Sequence, residues 1–229
     1  MRLNKYLKLF RHLKDFLLSV ILKRVSSKKK FELIYKYSYW QFNKDESLSG
    51  VGSTLKSTVN LRKGLTNFFL KRKIRNILDI PCGDFYWFSK IITPNIFYTG
   101  GDIVKDLIKK NNFTFKKKNI KFELLDITNS KLKKSDIIFT RDCFVHLDNI
   151  DIKKAIKNIK KSKSKFFATT IFTKNYSNAA RRLVDKCIPI NLCKSPFNLP
   201  APKYLLNDRS TLNAHDKNKK IGIWLIKDL

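Results

Sequence analysis

Carboxylates follow four successive apolar runs in the central part of this 229-residue chain. The first run, NILDI at residues 76–80, leads into Pro-Cys-Gly-Asp, and the next three lead to Asp102, Asp126 and Asp142. An isolated carboxylate in a protein interior is costly, so this repeated placement favours ligand binding over core packing. Acidic side chains gathered at one site suit a ligand that carries positive charge.

The turn after the first run distinguishes between ligand classes. A dinucleotide site favours G-x-G-x-x-G, whose glycines let the backbone approach a pyrophosphate. The corresponding positions here are Pro81, Gly83 and Tyr86, and Asp84 would repel a pyrophosphate. S-adenosylmethionine (SAM) has no phosphate and carries a sulfonium and an ammonium, which acidic residues suit. Asp102, after the second run, lies where a carboxylate can accept hydrogen bonds from both ribose hydroxyls.

The elements that must position these residues alternate between short apolar runs and helical periodicity. Such runs, rich in β-branched and aromatic residues, predict a parallel sheet covered on both faces. In an open parallel sheet the ligand lies beyond the carboxyl ends of the strands. The predicted strands are residues 76–80, 96–100, 120–125, 136–140, 165–172 and 221–227, the predicted helices are 54–72, 87–92, 104–111 and 150–161, and residues 186–220 are predicted to be irregular.

Arg141, Asp142 and His146 follow the fourth run, where a methyl donor would face its acceptor. Asp142 or His146 could take a proton from an acceptor hydroxyl or amine. Alternatively, Arg141 and Asp142 pair to order the loop while His146 binds a backbone carbonyl. Displacement from a sulfonium can also be accelerated by positioning alone, so the chemistry does not require a base.

The segment Glu46–Thr54 precedes the alternating region and is rich in Gly and Ser. Its small residues, Gly50, Gly52 and Ser53, would permit close approach to a cofactor, and Glu46 could meet an ammonium. The segment is therefore either a lid over the site or a flexible connector with a helix cap, Ser53 or Thr54, at its end.

Four motifs in order resemble class I SAM-dependent methyltransferases. They are SGVGS at Ser49–Ser53, DIPCGDFYW at Asp79–Trp87, RDCFVHL at Arg141–Leu147 and PFNLPAP at Pro196–Pro202. More narrowly, the chain is similar to small bacterial-type methyltransferases of mostly unassigned substrate, over roughly residues 35–229. Most class I enzymes have a glycine-richer first turn, where this chain has Pro81 and Phe85, a feature that the narrower family shares.

The resemblance implies a Rossmann-like α/β fold whose seven-stranded, mostly parallel sheet has an antiparallel last strand. It also implies a cofactor pocket lined by Asp79, Cys82, Gly83, Asp84, Asp102, Asp126 and Ile127. We predict further cofactor contacts beyond that set, at Glu46, Gly50, Gly52, Ser53, Pro81, Ile103, Arg141 and Asp142.

The net charge of +31 allows several interpretations. Codon bias in an A/T-rich genome could raise the lysine content everywhere, whereas a polyanion partner or an anionic membrane would make the charge functional. Residues 3–24 predict a basic amphipathic helix that either packs on the domain or lies on a membrane surface. Its apolar run is too short to span a bilayer. The predicted division is an N-terminal segment, 1–34, and a methyltransferase domain, 35–229.

The four cysteines lack C-x-x-C spacing, which predicts no metal site and a reducing cytoplasm. The predicted function is methyl transfer from SAM to an O or N atom. A sugar, glycan or other small polar acceptor is favoured, with RNA as the second possibility. The rival hypotheses are a nicotinamide-dependent oxidoreductase, and a basic RNA- or membrane-binding protein with a vestigial pocket.

Overall fold

A seven-stranded mixed sheet forms the centre of the protein. The computed structural model describes residues 16–174, 178, 187–208 and 218–229. The strand order is β3-β2-β1-β4-β5-β7-β6, and only β7 runs antiparallel to its neighbours. The predicted fold class is therefore confirmed. The strands are β1 (Asn76–Asp79), β2 (Phe97–Asp102), β3 (Ile120–Leu124), β4 (Ile137–Thr140), β5 (Phe166–Phe172), β6 (Tyr204–Asn207) and β7 (Lys219–Leu225).

Strand β6 lies inside the stretch that sequence periodicity predicts to be irregular, so that part of the prediction is wrong. It has only four residues, and it follows Pro200 and Pro202. Its residues pair with β7, from Tyr204 opposite Ile223 to Asn207 opposite Lys220. A short edge strand of this kind is specified by its partner more than by its own sequence.

Helices cover both faces of the sheet because its strands alternate their apolar residues between the two sides. Ile77 belongs to one core cluster with α3, whereas its neighbour Leu78 belongs to the other with α5. This is the two-sided burial that a parallel sheet requires. The helices are α1 (residues 16–22), α2 (Ser27–Lys36), α3 (Val59–Arg72), α4 (Lys105–Phe115) and α5 (Asn149–Lys161).

The first turn of the sheet is not followed by the predicted helix at 87–92. A 3-10 helix of four residues, Phe88–Ile91, stands there instead. Phe85 has a positive φ of 58° and is buried against Tyr98, with ring centroids 4.5 Å apart. The aromatic residues after the turn, Phe85, Trp87 and Phe88, are buried in the core. Because the chain must turn to bury them, it does not start a regular helix at the end of β1.

Helix α3 also begins later than the predicted residue 54. Its N-cap is Thr58, whose side chain makes no capping bond to a helix N–H. Thr54 accepts a hydrogen bond from the backbone N–H of Ser57 at 3.1 Å and thus closes the turn before the helix. The cap predicted at Ser53 or Thr54 is therefore wrong by one turn.

The described N-terminal part packs as two short helices. Leu18 and Leu22 of α1 bury against Ile34 of α2. The remainder of the predicted helix at 3–24, residues 3–15, lies outside the described residues. Helix α2 is continuous across the predicted domain boundary between residues 34 and 35. Among the described residues, no helix is long and apolar enough to cross a membrane.

Candidate functional site

A cavity of about 430 Å3 opens at the carboxyl ends of β1 to β4. Its volume lies within the range of small-molecule sites, roughly 300–1,000 Å3. The sheet brings the predicted residues to this edge because parallel strands all end there. The lining includes Gly50, Gly52, Ser53, Asp79, Pro81, Cys82, Gly83, Asp84, Asp102, Ile103, Asp126, Ile127, Arg141, Asp142 and His146.

Asp102 is held at the tip of β2 by backbone groups. Its Oδ2 accepts a hydrogen bond from the Gly83 N–H at 3.2 Å, and its Oδ1 accepts one from the Val104 N–H at 3.0 Å. Burial raises the pKa of Asp102 to about 6, although these backbone donors act in the opposite direction. At neutral pH the group is therefore an oriented carboxylate that retains acceptor capacity toward the cavity.

Asp79, at the end of β1, accepts a hydrogen bond from a tyrosine of the core. The Tyr98 hydroxyl donates to its Oδ2 at 2.6 Å. Burial, with a further contribution from the charge of Asp102, raises the pKa of Asp79 to about 8, while the Tyr98 bond and the Arg141 charge oppose that rise. Around neutral pH Asp79 therefore carries a proton that a cationic ligand would displace.

Gly83 is the residue of the first turn that has no room for a side chain. It has a positive φ of 55°, and a Cβ placed on it would lie 2.6 Å from Ser49 Oγ. Asn111 of α4 donates to the Gly83 carbonyl at 2.7 Å. The turn is thus fixed between the Gly/Ser segment above it and α4 beside it.

Asp84 points toward the Gly/Ser segment. Its carboxylate accepts hydrogen bonds from the Ser47 hydroxyl at 2.9 Å and from the Leu48 N–H at 2.6 Å. The Ser49 hydroxyl adds a third bond at 3.3 Å. Asp84 therefore anchors the segment that covers the cavity, and this positioning role was not part of the sequence prediction.

Glu46 is the one predicted cofactor residue that does not line the cavity. Its Oε2 is buried and has no hydrogen-bond partner among the described residues. Its proposed contact with an ammonium stays a prediction. Asp126 does line the cavity, and its Oδ1 accepts bonds from the N–H and hydroxyl of Thr128 at 2.8 and 2.7 Å. This Asx turn also leaves Oδ2 available.

A cluster of four charges lies at the far side of the cavity. Arg141 Nη2 and Asp208 Oδ1 are 2.9 Å apart, and Lys219 Nζ lies 2.7 Å from Asp142 Oδ2 and 3.3 Å from Asp208 Oδ2. Sequence reasoning identified Arg141 and Asp142 but missed Asp208 and Lys219, which lie in or beside the stretch predicted to be irregular. Their side chains are brought near the end of β4 because β7 pairs with β5 and β6 pairs with β7.

This charge cluster also positions the Gly/Ser segment. Arg141 Nη2 donates to the Gly52 carbonyl at 2.9 Å, in addition to its bonds with Asp208. Its guanidinium carbon lies 5.4 Å from the centre of the Trp87 ring. The arrangement joins β4, β6 and the covering segment through one buried cation.

Asp142 is a weak base in this setting. Burial raises its pKa, but the neighbouring Lys219 and Arg141 charges outweigh that effect and hold the pKa well below the usual range. An efficient general base has a pKa near the operating pH. The geometry therefore favours a structural and electrostatic role for Asp142 over the predicted proton transfer.

Aromatic side chains from the N-terminal region form the remaining wall. Ser27, Phe31 and Tyr35 lie at a spacing of four on one face of α2, and all three line the cavity. The Trp40 ring stacks on His146, with centroids 5.1 Å apart and planes inclined by 28°. Trp40 thus forms part of the cavity wall beside α2.

The other chemical predictions concern cysteines and metals. All four cysteines are free thiols, and burial raises the pKa of Cys82 and Cys143. Neither buried thiol is thus an activated nucleophile. Within the described ranges, no group of three His, Cys, Asp or Glu side chains could hold a metal ion.

Comparison with known proteins yields structural neighbours only. No protein-family model matches the chain, and no curated protein matches it. A structure of the methyltransferase domain of bacterial CtHen1-C has 12% sequence identity and a TM-score of 0.57, with coverage of 75% of this chain and 98% of that chain. Human N-acetylserotonin methyltransferase, solved in complex with SAM, has 10% identity and a TM-score of 0.57, with coverage of 88% and 60%.

At such low identities, the structural likeness shows a shared fold alone. The neighbours are Rossmann-like methyltransferases, whose strand arrangement this chain reproduces. For other matches, such as an S-adenosylmethionine-dependent methyltransferase from Clostridium acetobutylicum with 18% identity and a TM-score of 0.42, the chain spans about half the length of the matched protein (50%).

Proposed function

We propose that this protein binds SAM and transfers its methyl group to an O or N atom of a small polar acceptor. The observation that carries this proposal is Asp102, a carboxylate fixed by two backbone donors at the tip of β2 and facing the cavity. A carboxylate in this position can accept hydrogen bonds from the two ribose hydroxyls of a nucleoside. The methyltransferase fold of the structural neighbours supports the same class.

The first turn favours SAM over a nicotinamide dinucleotide. A pyrophosphate is bound at the N-terminus of a regular helix that follows a glycine-rich turn. Here β1 is followed by the four-residue 3-10 helix, and Pro81 and Tyr86 occupy two of the three glycine positions of the dinucleotide motif. Asp102, which is ionised at neutral pH and bonds to the Gly83 N–H of this turn, would repel a phosphate and attract a cation.

The donor set fits the parts of SAM. Asp102 would bind the ribose, and Asp126 with Ile127 would bind the adenine at the tip of β3. Asp79 would bind the ammonium, while Gly83 lets the backbone come close. When bound, SAM supplies an electrophilic methyl group on a sulfonium. The role of these residues is to fix the donor so that the methyl faces the far side of the cavity, since positioning supplies much of the acceleration.

The acceptor would enter between α2 and the β4 tip. This part of the cavity combines the aromatic faces of Phe31 and Trp40 with the polar groups of His146, Asp142 and Lys219. Such a mixture suits a sugar or another small polar metabolite, and RNA is the second candidate because of the basic surface. His146 is the candidate to receive a proton, because the Lys219 and Arg141 charges hold the pKa of Asp142 low and make it a weak base.

Calorimetry with S-adenosylhomocysteine on wild type and Asp102→Ala tests the cofactor assignment. Loss of a charge-assisted acceptor should weaken binding by about 1.5–3 kcal/mol, roughly 10- to 150-fold. Asp106→Ala is the matched control, because Asp106 is exposed on α4 and does not line the cavity. Wild-type affinity in a folded Asp102→Ala variant would contradict the ribose assignment. Wild-type binding of NADH but not of S-adenosylhomocysteine would contradict the whole proposal.

A further inference from the structure

Helix α1 carries both buried and exposed apolar side chains. Leu18 and Leu22 are 5% and 1% exposed and pack inward on α2. Phe16, Leu17 and Ile21 are 64%, 54% and 48% exposed. Scattered single apolar residues are normal at a protein surface. Three exposed apolar side chains within residues 16–22, beside two buried leucines, indicate a surface that contacts an apolar phase.

Basic residues adjoin this apolar face. Lys23, Arg24, Lys28 and Lys29 are all exposed, and the nearest acidic residues along the chain are Asp15 and Glu32. Lys29 Nζ lies 3.7 Å from Glu32 Oε2 on the surface of α2. The exposed apolar side chains of α1 together with these four cations are called here the N-terminal patch. Apolar groups next to a block of cations are typical of segments that lie at the interface of an anionic bilayer.

We propose that the N-terminal patch docks this protein on an anionic membrane surface. The three apolar side chains would enter the boundary between head groups and acyl chains, while the four cations would meet lipid phosphates and carboxylates. A nucleic acid would match the cations but leave Leu17 and Ile21 without an apolar partner. A second copy would bring cations against cations, in a chain whose net charge is already +31.

Docking would also orient the cavity. Helix α1 packs on α2, and the Ser27, Phe31 and Tyr35 face of α2 lines the cavity. The docked surface is thus one helix layer away from the wall through which an acceptor would enter. The inference stands on the patch alone and does not depend on the chemistry within the cavity.

Sedimentation of the full chain with vesicles tests the proposal. We expect binding to phosphatidylcholine vesicles that contain phosphatidylserine and little binding to phosphatidylcholine alone. Replacing Lys23, Arg24, Lys28 and Lys29 by Gln should weaken binding by about fivefold per charge. The matched control replaces exposed Lys109, Lys110, Lys116 and Lys118 by Gln. It removes the same total charge and should have a much smaller effect.

The apolar part is tested separately by Phe16→Asn, Leu17→Asn and Ile21→Asn combined. We expect vesicle binding to fall at least tenfold, since the polar side chains would gain no free energy by entering the acyl-chain boundary. Leu70→Asn with Phe113→Asn is its control, because both residues are highly exposed elsewhere. Thermal unfolding of each variant verifies that it is folded.

Three results would overturn the proposal. Equal losses in the two lysine sets would show adsorption driven by net charge alone. Unchanged binding of the folded apolar variant would show that α1 does not enter the bilayer. A smaller mass of that variant in gel filtration would show that the apolar face joins two copies of the chain.

Discussion

The buried charge cluster gives the sharpest prediction for stability. In the variant Asp208→Asn, the side chain keeps its size and one acceptor oxygen but loses its charge. Asp208 and Arg141 have 0% and 5% exposed side chains, and Lys219 has 8%. The substitution would leave two buried cations against the single carboxylate of Asp142.

The expected loss follows from this imbalance. Removing one partner from a buried ion pair typically costs about 3–5 kcal/mol, because the remaining charge is left without compensation. Asp142 lies 2.7 Å from Lys219 and 3.3 Å from Arg141, so it still compensates part of the excess. We therefore expect the lower end, about 3 kcal/mol. At about 2–4 °C per kcal/mol for a chain of this size, Tm should fall by roughly 6–12 °C.

Urea unfolding at neutral pH measures this difference, with thermal unfolding as a second observable. Asp228→Asn is the control, since Asp228 is exposed near the end of the chain and should change the free energy of unfolding by less than about 0.5 kcal/mol. Adding Lys219→Met to Asp208→Asn restores one cation to one anion. The double variant should therefore lose less stability than the two single variants together, by about 0.5–3 kcal/mol.

A loss in the free energy of unfolding for Asp208→Asn no larger than that for Asp228→Asn would refute this prediction. Such a result would mean that water reaches the four charges and screens them, as at an ordinary surface. Strict additivity in the double variant would also contradict the picture of one coupled cluster.

Three further predictions concern the end of β1 and the turn that follows it. Gly83→Ala should destabilise the protein by about 1–2 kcal/mol through its positive φ alone. It should also weaken S-adenosylhomocysteine binding, because the new Cβ would displace Ser49; Gly64→Ala, whose Cβ would only touch Leu206 at ordinary distances, should leave binding unchanged. For Asp79, with its pKa raised to about 8, binding of the cationic donor at pH 7 should release up to about 0.9 proton, measured by calorimetry in buffers of different ionisation enthalpy. Asp79→Asn should abolish this release, and a wild type without release would contradict the ammonium contact. Because the pKa of Asp79 is raised from 3.8 to about 8, the folded state holds this proton more tightly than the unfolded chain, and that contribution to stability is lost as the pH rises from 3.8 to about 8. Asp79→Asn should therefore flatten the decline in Tm over this range.

The sequence alone determined the alternation of strands and helices and the acidic residues at the strand ends. Both signals are local, since a strand and the carboxylate after it are adjacent in the chain. Parallel strands then end at one edge, which is why Asp79, Asp102 and Asp126 could be placed together without coordinates.

Only the tertiary structure decided which side chains complete the site. Asp208 and Lys219 lie 67 and 77 positions from their partners Arg141 and Asp142, and only the pairing of β7 with β5 and β6 brings them together. The contact between α2 and the cavity also depends on packing. The helical spacing of Ser27, Phe31 and Tyr35 shows that they share one face of α2, but it does not show what that face covers. Local patterns follow from neighbours in the chain, whereas a buried charge can be matched only by contacts between distant segments, and those exist only in the folded protein.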